Sequence, residues 1–212
     1  MRILIDYETR YAYTSPARFI VQTLRVTPRS VEAQQVRDWR IETNVDARLR
    51  RSEDSFGNIV HMLYTERPTE LLTVRVTGEV ATTNTSGVLL GVPERLSPLV
   101  YLRETELTRA DAAIRAFADQ VGPGDDLSRL HRLMRMIHAE VAFMVGTTTA
   151  SHTAAEAFAQ RQGVCQDHAQ IFSACARRLG LPARYISCHL HRSDGQELQD
   201  AAHAWAEAWV QG

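Results

Sequence analysis

The hydrophobic period changes near the middle of this chain, and that change constrains the fold more than any single residue does. Up to about residue 82 apolar side chains recur at every second position; from Thr108 they recur every three or four. A period of two belongs to half-buried strands and a period near 3.6 to amphipathic helices, so the two halves must be built from different elements. In the first half, residues 3–13 alternate and are rich in aromatic and β-branched side chains, residues 19–26 continue the pattern, and residues 36–45 set Trp39 and Ile41 among charged neighbours. The turn cluster Asp54-Ser55-Phe56-Gly57-Asn58 precedes a strand over 59–65, and Arg67-Pro68 separates it from another over 71–82. Several strands with turns between them predict an antiparallel β-sandwich. Residues 84–98, with Gly87, Gly91, Pro93 and Pro98, read as a linker, and the domains are expected at 1–104 and 105–212.

The second half opens with helices. Thr108 and Asp111 have N-cap spacing, followed by Ala112, Ile114, Phe117 and Val121 and a stop at Gly122-Pro123-Gly124. Residues 125–143 place Leu127, Leu130, Leu133, Met134, Ile137 and Val141 at helical spacing, where methionines are expected to fill core. Thr153-Ala154-Ala155-Glu156 is a capping box for a short helix to about Gln162. Residues 165–179 form a further helical pattern, ended by Gly180 and Pro182; residues 184–191 and 202–210 then alternate as strands around Ser193-Asp194-Gly195. Helices followed by an antiparallel sheet make an α+β order.

Chemistry concentrates at Gly163-Val164-Cys165-Gln166-Asp167-His168-Ala169. Cys165 falls in the first turn of its helix, where unpaired backbone N–H groups and the helix dipole favour thiolate over thiol. His203 lies in the alternating run Ala202-His203-Ala204-Trp205-Ala206-Glu207-Ala208-Trp209. A cysteine opening a helix and a histidine on a later strand can meet across a cleft as nucleophile and base. Cys175 and Cys188 read as small buried hydrophobes, His168 as a hydrogen-bonded structural histidine, and Asp167 as a carboxylate suited to the helix dipole. Cys165-x-x-His168 and His189-x-His191 have the spacing of metal-ligand pairs, but they belong to a long helix and a strand without a pattern of partners that would hold such ligands in place. No metal and no cofactor are expected. Ser151, Ser187 and Ser193 lack a nucleophile elbow. The acids nearest His203 are Glu207, roughly 13 Å along the same strand face and too far to hold the imidazole, and Asp200, whose geometry stays open.

The Gly163–Ala169 segment, His203-Ala204-Trp205-x-Glu207 and the spacer Gly180-Leu181-Pro182-Ala183-Arg184-Tyr185 together resemble the bacterial transglutaminase-like cysteine hydrolases. The resemblance covers about residues 108–212, and the strand-rich first half is similar in order to the amino-terminal domain that often precedes this core. It implies a papain-like fold of helices plus antiparallel sheet and a Cys-His-Asp site, with Cys165 as nucleophile and His203 as base. The family's aspartate lies on a strand beyond the histidine, while this sequence stops at Gly212. The core is therefore expected to be truncated at its carboxyl end, with an edge strand open to self-association.

The implied reaction is acyl transfer on a peptide or protein amide through a thioester. Hydrolysis is favoured; the alternatives are a transglutaminase using an amine acceptor and a non-catalytic peptide-binding or assembly module that keeps the fold. A net charge of −1 gives no electrostatic footprint for nucleic acid or an anionic membrane. All 24 basic residues are arginine, so no lysine is present for self-crosslinking. Three cysteines without a disulfide framework, no signal-peptide pattern and no long apolar run point to a cytoplasmic protein without a membrane partner.

Overall fold

The computed structural model of the chain describes residues 1–146, 149–192, 194–195 and 203–210. They form two compact units, Met1–Leu96 and Ser97–Gly212. The first contains six strands: β1 (Arg2–Ala17), β2 (Ile20–Thr27), β3 (Gln34–Thr43), β4 (Arg48–Glu53), β5 (Ile59–Thr65) and β6 (Thr69–Thr82). They make two three-stranded sheets, ordered β1-β6-β3 and β2-β5-β4, with every pair antiparallel. Their inner faces close over Ile20, Leu24, Leu63, Leu72 and Val74. Burying such side chains fully stabilises by about 1.5–3 kcal/mol each before the entropy of ordering is counted.

The expected sandwich is thus present, with one strand that the periodicity did not show. β4 reads Arg-Leu-Arg-Arg-Ser-Glu and has a single apolar residue. It forms because β5 offers a row of backbone donors and acceptors, and its charged side chains suit an edge strand that must resist further pairing. The turn before β5 is fixed by Asp54, whose carboxylate accepts from the backbone of Phe56 and Asn58 and from Arg25. Burial raises this carboxyl's pKa, but the hydrogen bonds of Asn58, Arg25 and Phe56 outweigh it and hold it down at about 2.

The second unit contains α1 (Ala112–Asp119), α2 (Asp126–Glu140), α3 (Ala154–Gln160) and α4 (Cys165–Arg178), a short parallel pair β7 (Ala142–Phe143) and β8 (Gln162–Gly163), and an antiparallel pair β9 (Ala183–Cys188) and β10 (His203–Ala208). Residues 97–104, placed with the amino-terminal domain on sequence, are compact with this unit. The half-buried guanidinium of Arg177 donates to the Tyr101 carbonyl at 2.8 Å, and the Tyr101 ring stacks on Trp209 with centroids 4.5 Å apart.

Helix α4 organises the unit, packing against α1, α2, α3, β9 and β10. It is buried nearly all round: Asp167, Ala169, Gln170, Ile171, Ser173, Ala174, Cys175 and Ala176 are inaccessible. Its small residues let the neighbours approach closely, and Ser173 satisfies its hydroxyl on the Ala169 carbonyl at 2.8 Å. Gly180, at φ +82°, ends the helix in the left-handed conformation, with Leu181 N–H returning to the Ala176 carbonyl at 2.9 Å.

Two local expectations are corrected. The cap of α1 is Asp111, which accepts from Ile114 N–H at 2.8 Å, whereas the Thr108 hydroxyl accepts from Arg177. Met134 is not core: it is 55% exposed, because the buried stripe of α2 runs through Leu130, Leu133 and Ile137. Met134 follows Leu133 directly and is turned by about 100° from it.

Candidate active site

The entry to α4 is built by a short ladder and one buried acid. Helix α3 ends at Arg161 in the left-handed conformation, and the chain then pairs with the segment after α2: Ala142 N–H donates to the Arg161 carbonyl and Met144 N–H to that of Gly163. At Gly163 the Asp167 side chain crosses so closely that an added Cβ would stand 2.6 Å from Asp167 Cβ and 2.8 Å from its Oδ2. Glycine is needed here for close approach, not for its backbone angles. Asp167 Oδ2 accepts the Val164 N–H at 2.8 Å, and Oδ1 lies 3.7 Å from His152 Nδ1. Asp167, read from sequence as a dipole partner, is therefore a fully buried brace for the turn that presents Cys165.

Cys165 is the first residue of α4 and is partly exposed. Val164, at the N-cap, has no side-chain acceptor, so nothing from the cap covers the opening N–H groups of the helix. His168 is structural, as its position suggested. Its Nδ1 lies 2.9 Å from the Val164 carbonyl and its Nε2 3.1 Å from the Val141 carbonyl, tying the first turn of α4 to the end of α2. With both nitrogens so placed, the ring is not offered to a metal or to the Cys165 thiol.

The opposite wall comes from β9 and β10. Their register pairs His203 with Cys188, Trp205 with Ile186 and Ala206 with Tyr185. Ala183 and Ala208 form the last cross-strand pair and pack on the helical core, which fixes the sheet against α4. The His203 ring meets Trp205 edge-on, with centroids 4.8 Å apart. Burial lowers the pKa of His203 and so favours the neutral imidazole.

Cys165 also acts electrostatically on two side chains of β9, Cys188 and Tyr185. The Cys188 thiol is pushed up to about 12, first by burial and then by the charge of Cys165, with the Trp205 indole acting in the other direction. Tyr185 is raised by burial and then by Cys165, Cys188 and Asp167, which keeps its hydroxyl protonated. Cys165 thus lies within the electrostatic reach of His203's cross-strand partner. No hydrogen bond joins Cys165 to His203 among the described residues, and catalytic contacts are often long before substrate binds. Burial alone pushes Cys175 up to about 12.

The other candidates are placed as follows. Glu207 is taken by Arg184, whose Nε and Nη2 reach its Oε2 at 2.9 and 2.8 Å, so it does not orient His203. Among the described residues no carboxylate bonds the His203 ring; Asp200 and Ser193 lie outside them. Ser151 is exposed and its hydroxyl meets that of Thr149, while Ser187 is exposed on β9. His189 and His191 are both exposed, and desolvation of its ring lowers the pKa of His189. No three His, Cys, Asp or Glu side chains converge as a metal site among the described residues. Among them, too, no helix is long and apolar enough to cross a membrane.

A cysteine at the head of a buried central helix, with a histidine-bearing antiparallel pair packed on that helix, defines a papain-like class of fold. Residues 115–212 match the transglutaminase-like superfamily, and residues 3–81 match the bacterial transglutaminase-like N-terminal region. The two matches fall one in each unit of the chain, and both are to transglutaminase-like models. It is 28% identical over 226 residues to an uncharacterized protein of Mycobacterium leprae (strain TN), covering 100% of this chain and 80% of the relative. An uncharacterized protein of Mycobacterium tuberculosis (strain H37Rv) is 28% identical over 233 residues, covering 99% of this chain and 74% of the relative. A solved structure of a candidate cysteine protease from Cytophaga hutchinsonii superposes with a TM-score of 0.78 at 20% identity, covering 99% of this chain and 73% of that one. That likeness establishes the fold.

Proposed function

We propose that the chain catalyses cysteine-dependent acyl transfer on peptide or protein amides, with water as the acceptor. The observation that carries this reading is the position of Cys165: a partly exposed thiol at the start of a buried helix, on a turn braced by Asp167, with the His203 strand packed against the same helix. Neutral His203 takes the thiol proton as sulfur attacks the carbonyl carbon, and later gives it to the leaving amine. Backbone N–H groups at the head of α4, Cys165's own among them, stabilise the oxyanion because the N-cap side chain leaves them open. Water then hydrolyses the thioester and regenerates the thiol. Burial lowers the His203 pKa, so the base stays neutral to below the ordinary histidine range and should support turnover at mildly acidic pH.

Two measurements test it. Brief iodoacetamide treatment at mildly acidic pH should label Cys165 ahead of Cys175 and Cys188, both of which are held as thiols; labelling Cys188 first would remove the nucleophile assignment. Cys165→Ala should abolish cleavage of a peptide amide, and His203→Ala should reduce it by about a thousandfold. Product that forms only when a primary amine is added would identify transamidation as the activity.

A further inference from the structure

Within the amino-terminal unit, a pocket of about 460 Å³ lies between the edge strands β3 and β4 of the two sheets. Its lining includes Thr27, Trp39, Ile41, Leu49, Arg51 and His61. Three of these carry a polar atom sealed from solvent and without a hydrogen-bond partner among the described residues: Thr27 Oγ1, Trp39 Nε1 and His61 Nδ1. Native proteins pair nearly all such atoms, so three orphans lining one pocket call for an explanation.

The fourth polar group is Arg51. Its cross-strand partner is His61, next to the pair Leu49 and Leu63, and Leu63 is fully buried in the sandwich. The alternation therefore puts Arg51 on the inner face of β4. No carboxylate pairs with its guanidinium among the described residues, and its charge, after burial, helps to keep His61 neutral. An inward charge on an edge strand discourages edge-to-edge pairing. That accounts for the arginine but not for three unpaired polar atoms beside it.

The indole direction is also built in. Trp39 pairs with Gly78 on β6, and a Cβ at Gly78 would stand 2.3 Å from a carbon of the Trp39 ring. The glycine lets the ring lie against the strand, which holds Nε1 in place. Trp39 Nε1 can only donate, a guanidinium can only donate, and the Thr27 hydroxyl can do so. Such a set suits a carboxylate, whose two oxygens take several donors, while Ile41 and Leu49 offer apolar surface for the body of the same molecule. Arg40 also lines the pocket, but it lies on the opposite face of β3 from Trp39 and Ile41, 69% exposed and 3.9 Å from Glu42, so Arg51 is the inner-face cation and a single negative charge matches it.

We propose that this pocket is a binding site for a small monocarboxylate with an apolar body, held by Arg51, Trp39 Nε1 and the Thr27 hydroxyl.

The test is an NMR titration of the full chain labelled at its three tryptophan indoles, using hexanoate, with inorganic phosphate and hexylamine as comparison probes. The Trp39 resonance is identified by its loss in Trp39→Phe, which keeps a ring over Gly78. It should move saturably with hexanoate and little with the other two. Arg51→Gln should weaken hexanoate at least tenfold, while Arg50→Gln, paired with exposed Met62 on the outer face of the same strand, should leave it unchanged. The amide spectrum of each variant reports whether the sandwich is folded. No saturable shift with hexanoate, an equal response to phosphate, or unaltered affinity in folded Arg51→Gln would each overturn the assignment.

Discussion

Helices α3 and α4 begin with the same device and use it differently. In α3, Thr153 and Glu156 complete a capping box at the surface: the Thr153 hydroxyl accepts the Glu156 N–H at 3.3 Å, and the Glu156 carboxylate accepts the Thr153 N–H at 2.9 Å. In α4 only the returning half is present. Asp167 reaches back to the Val164 N–H, but Val164 has no oxygen to offer the helix. The surface helix spends its N-terminal donors on itself. The central helix fixes its entry with a buried carboxylate and leaves its first N–H groups to whatever binds beside Cys165. A helix that is only structural gains stability from a full cap, whereas one that stabilises an oxyanion needs an open end held rigidly.

Gly163→Ala tests the rigid half of this contrast and should have the largest effect. The new methyl would meet the Cβ and Oδ2 of Asp167, atoms of a short buried side chain that cannot swing away. We expect a loss of about 3 kcal/mol of stability, read by urea unfolding, together with slower alkylation of Cys165 as its turn shifts. A variant with unchanged stability would show that the brace tolerates movement, and the contrast with α3 would lose its basis.

Val164→Thr sharpens the open half by restoring the missing cap with a side chain of nearly the same shape. It should protect the first turn of α4 against hydrogen exchange and lower turnover by up to about tenfold, equivalent to about 1.4 kcal/mol in the transition state. KM should change little, because the donors act on charge that develops during reaction. A turnover equal to that of the parent chain would separate the open helix end from catalysis.

How much of this could be read from the chain follows the reach of each interaction. The Thr153–Glu156 box, the two-residue period of β5 and β9 and the turn at Asp54 are local and were legible. Cys165 and His203 stood out because a helix start and an alternating strand are local patterns too. Asp167 was underestimated, since its role depends on Gly163 passing against it and on His152 approaching from another segment. The strand β4 was missed because an edge strand is recruited by its neighbour and needs no apolar row of its own. Met134 was misassigned because it sits one residue from the buried stripe, a distinction that only packing makes. The pocket beside Trp39 was invisible for the same reason: its three donors come from three strands, and their convergence is a property of the assembled sandwich.

Thr153→Ala addresses the complete box of α3 and should have the smallest effect, about 1 kcal/mol lost at neutral pH with turnover unchanged. Its dependence on pH makes the comparison specific. Hydrogen bonds from Thr153, the backbone one first, lower the Glu156 pKa from its ordinary value of 4.5. The folded chain therefore favours the carboxylate, and the unfolded chain binds the proton more readily. The contribution is complete above 4.5 and is lost as pH falls through the lowered folded value. In the alanine variant the hydroxyl that steadies the carboxylate is gone, so less is left to lose on acidification. The stability gap between parent and variant, measured by urea unfolding, should thus narrow as the solution is taken from neutral pH to below the ordinary carboxylate range. A gap that stays constant would mean that the threonine acts by its own N-terminal hydrogen bond alone, and that the two halves of the surface box are not coupled.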